Sequence, residues 1–426
     1  MSDLLPRELW IVILTRLPVK TVVRCAFTCK SWYSLITNPK FIAAHLNQSS
    51  LANNNLLLIR SYSGDERYSL VRCENEMFID YAEFEPPLKI HRNPYLRIIG
   101  SCNGLVCISN DLEDYTEELY LWNPSIHKTM ALPPLRVTAE SHGRYIHTIQ
   151  FGFDSLTDDY KVVRIAYLDG PDGFEPPPAP EIDIFSLSTG TWRNISHLGL
   201  PYAIDERAPQ AFLNGAAHWL AFDRRRDDFF CLIVSFHMGD EIFREIMVPA
   251  SNFRVHGVVA KFQESLSLID VLGTDSYSIW VMKEYGISNS WTKLFNIDTR
   301  GGLLYWIAGF TRNGHVLFAT KFGYLVAYDP EVKQVTHHRI RGPIIPTYSD
   351  SFYADTYTES LVFFRSKLHD RITCKESLIL PGEASGAKKT KEERNEEDCD
   401  QGGNQNEENC SKSRSDIDCD HGGKSK

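Results

Sequence analysis

Leu5-Pro6-Arg7-Glu8-Leu9-Trp10-Ile11-Val12-Ile13-Leu14-Thr15-Arg16-Leu17-Pro18 reads as one short helix that is apolar all the way round. Pro6 suits the first helical position, where its missing N–H costs nothing. Glu8 favours the positive N-terminal end and Arg16 the negative C-terminal end. Pro18 is read as the stop, because it pushes Leu17 out of helical geometry. At 3.6 residues per turn, Leu9 and Ile13 share one face, while Trp10, Leu14 and Leu17 share another. A helix apolar all round has to be buried all round. A module of this size buries too little of its own surface to achieve that, as do domains under roughly 60 residues in general. One face must therefore go into a partner.

Working outward, Val22, Val23, Ala26 and Phe27 form a second apolar stripe, and Trp32, Leu35 and Ile36 a third. Asn38-Pro39 is a turn, and Phe41, Ile42, His45 and Leu46 follow as a last helical turn or two. Residues 1–46 hold six Lys or Arg against Asp3 and Glu8, a net +4 within a chain of net charge −10. Such a module suits an acidic partner.

The pattern Leu5-Pro6-x-Glu8-Leu9, Ile13-Leu14-x-x-Leu17-Pro18, Val22-x-Arg24-Cys25, Cys29-Lys30-x-Trp32-x-x-Leu35-Ile36 resembles the F-box nearly end to end. That resemblance implies a three-helix unit docking on a Skp-type adaptor, which in turn binds a cullin scaffold. It places adaptor contact on Leu5, Pro6, Leu9, Ile13, Leu17, Pro18, Val22, Lys30 and Trp32. Trp32 and Leu35 also suit the core of the module.

From about residue 55 the pattern changes to short strands. Asn103-Gly104 between two apolar runs is a hairpin signal, and it recurs at Asn214-Gly215 and Asn313-Gly314. With Leu56, Asn103, Phe151, Asn214, Ser265, Asn313 and Ser360 as equivalent points, the spacings are 47, 48, 63, 51, 48 and 47. The long interval contains the Pro-rich stretch Pro171 to Pro180, read as a protruding loop. Outer strand pairs are expected over 182–195, 233–248, 277–297 and 325–340. A period near 50 with four strands per unit is the pattern of a kelch-like β-propeller. Six blades are favoured over seven, with Ser360-Leu361-Val362-Phe363-Phe364 as the ring-closing strand. The fold class is therefore mainly β with a small α module, and a pair of β-sandwiches is the alternative architecture.

Gly100-Ser101-Cys102-Asn103-Gly104-Leu105, Leu121-Trp122-Asn123-Pro124-Ser125, Phe151-Gly152-Phe153-Asp154 and Trp280-Val281-Met282-Lys283-Glu284-Tyr285-Gly286 resemble the F-box-associated domain of the large plant F-box family. The ending Tyr353-Ala354-Asp355-Thr356-Tyr357-Thr358-Glu359-Ser360-Leu361-Val362 resembles the S-locus F-box and S-locus F-box-like branch, which is involved in pollen recognition of style ribonucleases. The domain reading is 1–46 for the helical module, 47–380 for the propeller and 381–426 for a charged tail expected to be disordered. The tail repeats Asp398-Cys399-Asp400 as Asp418-Cys419-Asp420-His421, read as a duplicated spacer rather than a metal site.

No apolar run approaches the ~20 residues of a membrane span. The N-terminus lacks the pattern of a signal peptide, so an intracellular, cytoplasmic protein is expected, with nuclear presence left open. Its ten cysteines are then expected as thiols, and the absence of a Cys-x-x-Cys pair argues against zinc. A net charge of −10 argues against nucleic acid. No Gly-x-Ser-x-Gly, phosphate-cradling loop or His-Glu-x-x-His is present, and the adjacent His337-His338 cannot chelate together from one strand. No cofactor and no catalytic residue is expected.

The expected function is a substrate receptor of a Skp–cullin–F-box ubiquitin ligase whose target is a basic protein, a style ribonuclease by the narrower resemblance. The polar loops around 169–181 and 223–228 are the candidate target contacts, through Asp169, Phe174, Glu175, Arg224, Arg225 and Asp227. The alternative is a glycan-binding or glycan-hydrolysing propeller with a helical dimerisation element.

Overall fold

The N-terminal apolar run is helical, but over a shorter stretch than its sequence implies. A computed structural model of the chain describes residues 6–52, 55–62, 65–74, 77–88, 96–110, 118–169, 179–204, 211–223, 230–249, 257–271, 276–299, 304–341 and 352–363. Four helices come first: α1 (Arg7–Leu14), α2 (Val19–Ala26), α3 (Lys30–Ile36) and α4 (Pro39–Leu51). Pro6 caps α1 from outside it, its carbonyl accepting the Leu9 and Trp10 N–H groups at 3.1 and 3.3 Å. Pro18 caps α2 in the same way and is not the stop of α1, which ends at Leu14. Asn38 caps α4 by accepting the Lys40 N–H at 2.9 Å. The helical turns expected over Phe41 to Leu46 are present as α4, which continues to Leu51.

The strands follow in blades. The first holds β1 (Leu56–Tyr62), β2 (Glu66–Glu74) and β3 (Met77–Phe84). The second holds β4 (Arg97–Cys102), β5 (Leu105–Asn110), β6 (Glu118–Asn123) and β7 (Lys128–Ala131). The third holds β8 (Tyr145–Asp154), β9 (Asp159–Leu168), β10 (Glu181–Ser186) and β11 (Thr191–Asn194). In the fourth, β12 (Ala203–Ile204) and β13 (Ala211–Leu213) both pair with β14 (Ala216–Asp223), followed by β15 (Phe230–His237) and β16 (Ile242–Met247). The fifth holds β17 (Val258–Phe262), β18 (Ser265–Val271), β19 (Ser276–Met282) and β20 (Trp291–Asp298). The sixth holds β21 (Leu304–Phe310), β22 (Val316–Thr320), β23 (Tyr324–Asp329) and β24 (Gln334–Arg341). The last described strand, β25 (Phe352–Tyr357), returns to pair with β1 and completes the first blade. The molecule is a propeller of six antiparallel blades, as its spacing implies, and not a pair of sandwiches.

The closing strand is therefore Phe352–Tyr357 and not the stretch from Ser360. Residues 360–363 serve instead as an anchor. The buried Asn123 amide donates to the Ser360 carbonyl at 3.1 Å and the Val362 carbonyl at 2.8 Å, while its oxygen accepts the Ser125 N–H at 3.0 Å. This gives Leu121-Trp122-Asn123-Pro124-Ser125 a physical role: it holds the end of the ring. Tyr357 adds to the lock by donating to the Gly104 carbonyl at 3.1 Å.

The two-residue turns at Asn103-Gly104 and Asn214-Gly215 carry positive φ at both positions, 52° and 79° in one, 53° and 72° in the other. That is the geometry which suits the twist of a hairpin. The third, at Asn313-Gly314, is a wider loop spanned by Thr311 and His315. Three tryptophans, Trp192 and Trp291 on edge strands and Trp219 on the buried strand β14, act as staples between blades. Trp192 donates to the Pro133 carbonyl at 2.9 Å, Trp291 to the Met247 carbonyl at 2.9 Å, and Trp219 to the Thr148 hydroxyl at 3.1 Å.

His218 is a further staple, between the fourth and fifth blades. Its Nδ1 donates to the Ala211 carbonyl at 3.1 Å and its Nε2 accepts the Tyr285 hydroxyl at 2.8 Å. Burial lowers its pKa to about 4. The folded ring stays neutral where an unfolded His, with a pKa near ~6.5, takes up a proton. Stability is thus expected to fall as pH drops from about 6.5 to about 4, by up to about 3 kcal/mol from this group. Urea denaturation across that range checks it: His218→Gln should flatten the slope, and an unchanged slope would contradict the assignment.

Candidate functional site

Leu14, Val19, Val22, Ala26, Leu35, Ile36 and Phe41 are buried in a single cluster with Leu119, Leu121, Ile126, Met130 and Leu132 of the second blade. The propeller itself thus covers one face of the helical module, a burial that the sequence assigns to an external partner. Trp10 and Trp32 are half-buried against this cluster, with ring centroids 5.1 Å apart. Leu17 packs there too, and its carbonyl lies 2.9 Å from Nε2 of the buried His45. Burial lowers the pKa of His45, which favours the neutral ring as the tie between α4 and the end of α1.

The other face of α1 is open. Leu9, Val12 and Ile13 are 47%, 47% and 43% exposed, at the i, i+3, i+4 spacing of one helical face. Around them Pro6, Pro18 and Lys30 are exposed. All six basic residues of the module, Arg7, Arg16, Lys20, Arg24, Lys30 and Lys40, are exposed as well. The helical module thus presents an open apolar strip on α1 and a set of exposed basic side chains.

Of the residues assigned to adaptor contact, Leu9, Ile13, Pro6, Pro18 and Lys30 are on the surface, and Leu17 and Trp32 are half-buried supports. Val22 is a correction: at 0% exposure it belongs to the core and offers no contact. Leu5 lies outside the described residues. Val12 and Phe27, both exposed, are missing from the assignment. Val12 was legible from its spacing to Leu9, whereas Phe27 follows directly on α2 and its exposure depends on where that helix stops.

Most of the candidate target loops, 170–178 and 224–229, lies outside the described residues, and topology places only the strand ends that flank them. Each joins the second and third strands of a blade: one runs from β9 to β10, the other from β14 to β15. Such connections lie at one end of an antiparallel ring, while the connections between third and fourth strands lie at the other. The β6–β7 turn, which α2 touches, is of the latter kind. The strand ends that flank both loops therefore lie at the end of the ring opposite to the β6–β7 turn. Asp169 is half-buried and ion-pairs with Arg144 at 3.8 Å. Phe174, Glu175, Arg224, Arg225 and Asp227 lie outside the described residues, as does the tail.

A cavity of about 320 Å³ lies on the ring axis, lined by the inner strands β4, β17, β21 and β25. Lys261, Tyr353 and Asp355 give it polar walls, and Trp306 and Phe352 apolar ones. Burial pushes the Cys102 thiol there up to about 12, where it is a poor nucleophile. Burial also raises the pKa of Asp355. Among the described residues no three His, Cys, Asp or Glu converge on a metal position.

Comparison with known proteins agrees with this arrangement. The F-box domain model matches residues 3–43, and the model of the F-box associated beta propeller domain matches residues 58–364. The chain is similar to the Arabidopsis thaliana F-box protein At3g07870, 28% identical over 376 residues that span 77% of this chain and 85% of that one. It is also similar to the Arabidopsis thaliana F-box protein CPR1, 28% identical over 313 residues, 69% of this chain and 73% of that one. The Arabidopsis thaliana F-box/kelch-repeat protein At3g23880 is 29% identical over 305 residues, 69% of this chain and 79% of that one. With its helical module and most of its length so matched, the chain belongs to the family of F-box proteins that carry an F-box associated beta propeller.

Proposed function

We propose that this protein is a substrate receptor of a Skp–cullin–F-box ubiquitin ligase, acting in the cytoplasm. The observation that carries the proposal is the open strip Leu9–Val12–Ile13 on a helix whose opposite face is fixed to the propeller. A Skp-type adaptor takes the strip, with the exposed basic side chains of the module meeting acidic adaptor side chains. The propeller end away from the module presents its loops to a target. The receptor does no bond chemistry itself; it raises the effective concentration of target lysines near a charged ubiquitin-conjugating enzyme.

The target is read as a basic protein, because residues 47–382 carry a net charge of −10. The style-ribonuclease reading is narrower. The residues behind it, Tyr353 to Val362, form the closing strand and its anchor, so they account for ring closure before they account for a target. The experiment is to trap targets on full-length protein bound to adaptor and cullin, and to determine their isoelectric points. Basic targets are expected; a set acidic on average would overturn the charge argument.

A further inference from the structure

The outermost strand of the first blade differs from its counterparts. Among the described strands β3 pairs with β2 alone, which leaves its other edge open. Its exposed positions include Met77 at 60%, Ile79 at 45% and Tyr81 at 38%. The edge strands β11 and β20 carry polar residues at exposed positions, Thr191, Arg193 and Asn194 in one and Thr292, Lys293 and Asn296 in the other, while β16 also exposes Ile242 and Met247 but has its Met247 carbonyl taken by the Trp291 indole N–H. Lysine, proline and bulges are the usual protection of a free edge. β3 has neither Lys nor Pro. Its bulge falls between Asp80 and Ala82, so Met77 to Asp80 keep a regular ladder with Glu74 to Val71.

The charge around this strip is mostly acidic. Asp80, Glu83 and Glu85 lie on or beside β3, Glu74 pairs across from Met77, and Glu359 accepts the Tyr81 hydroxyl at 3.2 Å. Of the described cations on β2, Arg72 already pairs with Glu74 at 3.3 Å and lies over the Tyr81 ring at 4.8 Å, and Arg67 is exposed beside the Phe84 end. Burial raises the pKa of Glu359, with Tyr81 and Arg72 opposing it, which marks a carboxylate short of compensating charge.

We infer that the open edge of β3 takes an extended basic segment of a target protein by strand addition. Backbone N–H and C=O groups of the incoming strand continue the ladder over Met77 to Asp80. Its apolar side chains cover Met77, Ile79 and Tyr81, and its Lys or Arg side chains meet Asp80 and Glu83. The inference rests on the substrate-receptor proposal only for the partner being a target.

The test uses the full-length protein and a fluorescein-labelled peptide of alternating lysine with valine or isoleucine, read by anisotropy. A peptide with glutamate in place of lysine is the control. The basic peptide should bind, the acidic one should not, and binding should weaken as salt rises. Ile79→Lys should reduce affinity tenfold or more, and Asp80→Asn with Glu83→Gln should weaken it and flatten its salt dependence. Thr292→Lys, on the edge of β20, should leave it unchanged. Circular dichroism of each variant establishes that it is folded.

Equal binding of both peptides, no binding by the wild type, or indifference to Ile79→Lys in a folded variant would each overturn the inference. A concentration-dependent dimer abolished by Ile79→Lys would overturn it too, assigning the edge to a second copy of the chain. Adaptor binding, measured separately by calorimetry, reports on the receptor proposal alone, so failure of one is distinguishable from failure of the other.

Discussion

Replacing Gly309 with alanine is expected to open the ring. Gly309 lies in β21, at an irregularity in the β21–β22 ladder. A Cβ there would sit 2.0 Å from the Ala354 carbonyl oxygen of β25 and 3.0 Å from its carbonyl carbon. Both contacts are backbone, and Ala354 is itself paired with Ile59 across the closing ladder. No side chain can swing aside, so the sixth blade and the closing strand must part. Strain of this kind belongs with the mutations that cost about 4 kcal/mol or more. Urea denaturation and limited proteolysis check it, and a variant with the wild-type midpoint would contradict the described seam. Gly152→Ala is the milder comparison. Its Cβ would meet the Phe212 ring at 2.1 Å, and a ring at the end of a side chain can shift where a backbone carbonyl cannot.

Leu9→Ala with Ile13→Ala is expected to separate adaptor binding from folding. Both side chains stand on the open face of α1, so their loss should change stability by no more than about 0.5 kcal/mol each. Each is worth about 1.5–3 kcal/mol when buried by a partner, which makes a fall in adaptor affinity on the order of 100-fold or more for the pair. Leu14→Ala, one residue on, is the opposite case. Leu14 is in the shared core of helices and propeller, and its truncation should cost about 2–5 kcal/mol of stability. Calorimetry for binding and urea denaturation for folding, on the same three proteins, distinguish the two faces. If the double variant unfolded like Leu14→Ala, the open face would be core after all.

Much of the fold was legible because its signals are local. Equivalent points, three of them Asn-Gly turns and most of them 47 to 51 residues apart, fix where second strands begin, and Leu56, Asn103, Asn214, Ser265 and Asn313 all mark such starts. Ser360 begins no described strand, and the other exception is Phe151. It lies inside β8, because the β8–β9 turn needs Asp154 to cap its own loop, accepting the Leu156 N–H at 2.9 Å. What was not legible is non-local. Whether the ring closes with Phe352–Tyr357 or with the apolar run from Ser360 depends on which one meets β1, and both are apolar enough. The Asn123 amide decides it by holding the later stretch outside the ladder.

The same limit applies to the docking face. Two-sided apolarity in α1 shows that both faces are covered, but not by what. The side of Trp10, Leu14 and Leu17 is covered by the molecule's own core, and the side of Leu9, Val12 and Ile13 is left open. Val22 has the same chemistry as Val12, and only the packing of α2 against the second blade makes one core and the other surface. The open edge of β3 was equally hidden. Alternating apolar residues read as a half-buried strand, and only its outermost place in the first blade exposes them.

The most direct test of the central claim is calorimetry of the full-length protein with a purified Skp-type adaptor. The full chain is needed because the helices share their core with the propeller. Tight 1:1 binding that Leu9→Ala/Ile13→Ala abolishes, with folding intact, is the predicted result. No binding by the folded wild-type protein would contradict the account, and the open face of α1 would then serve some other partner.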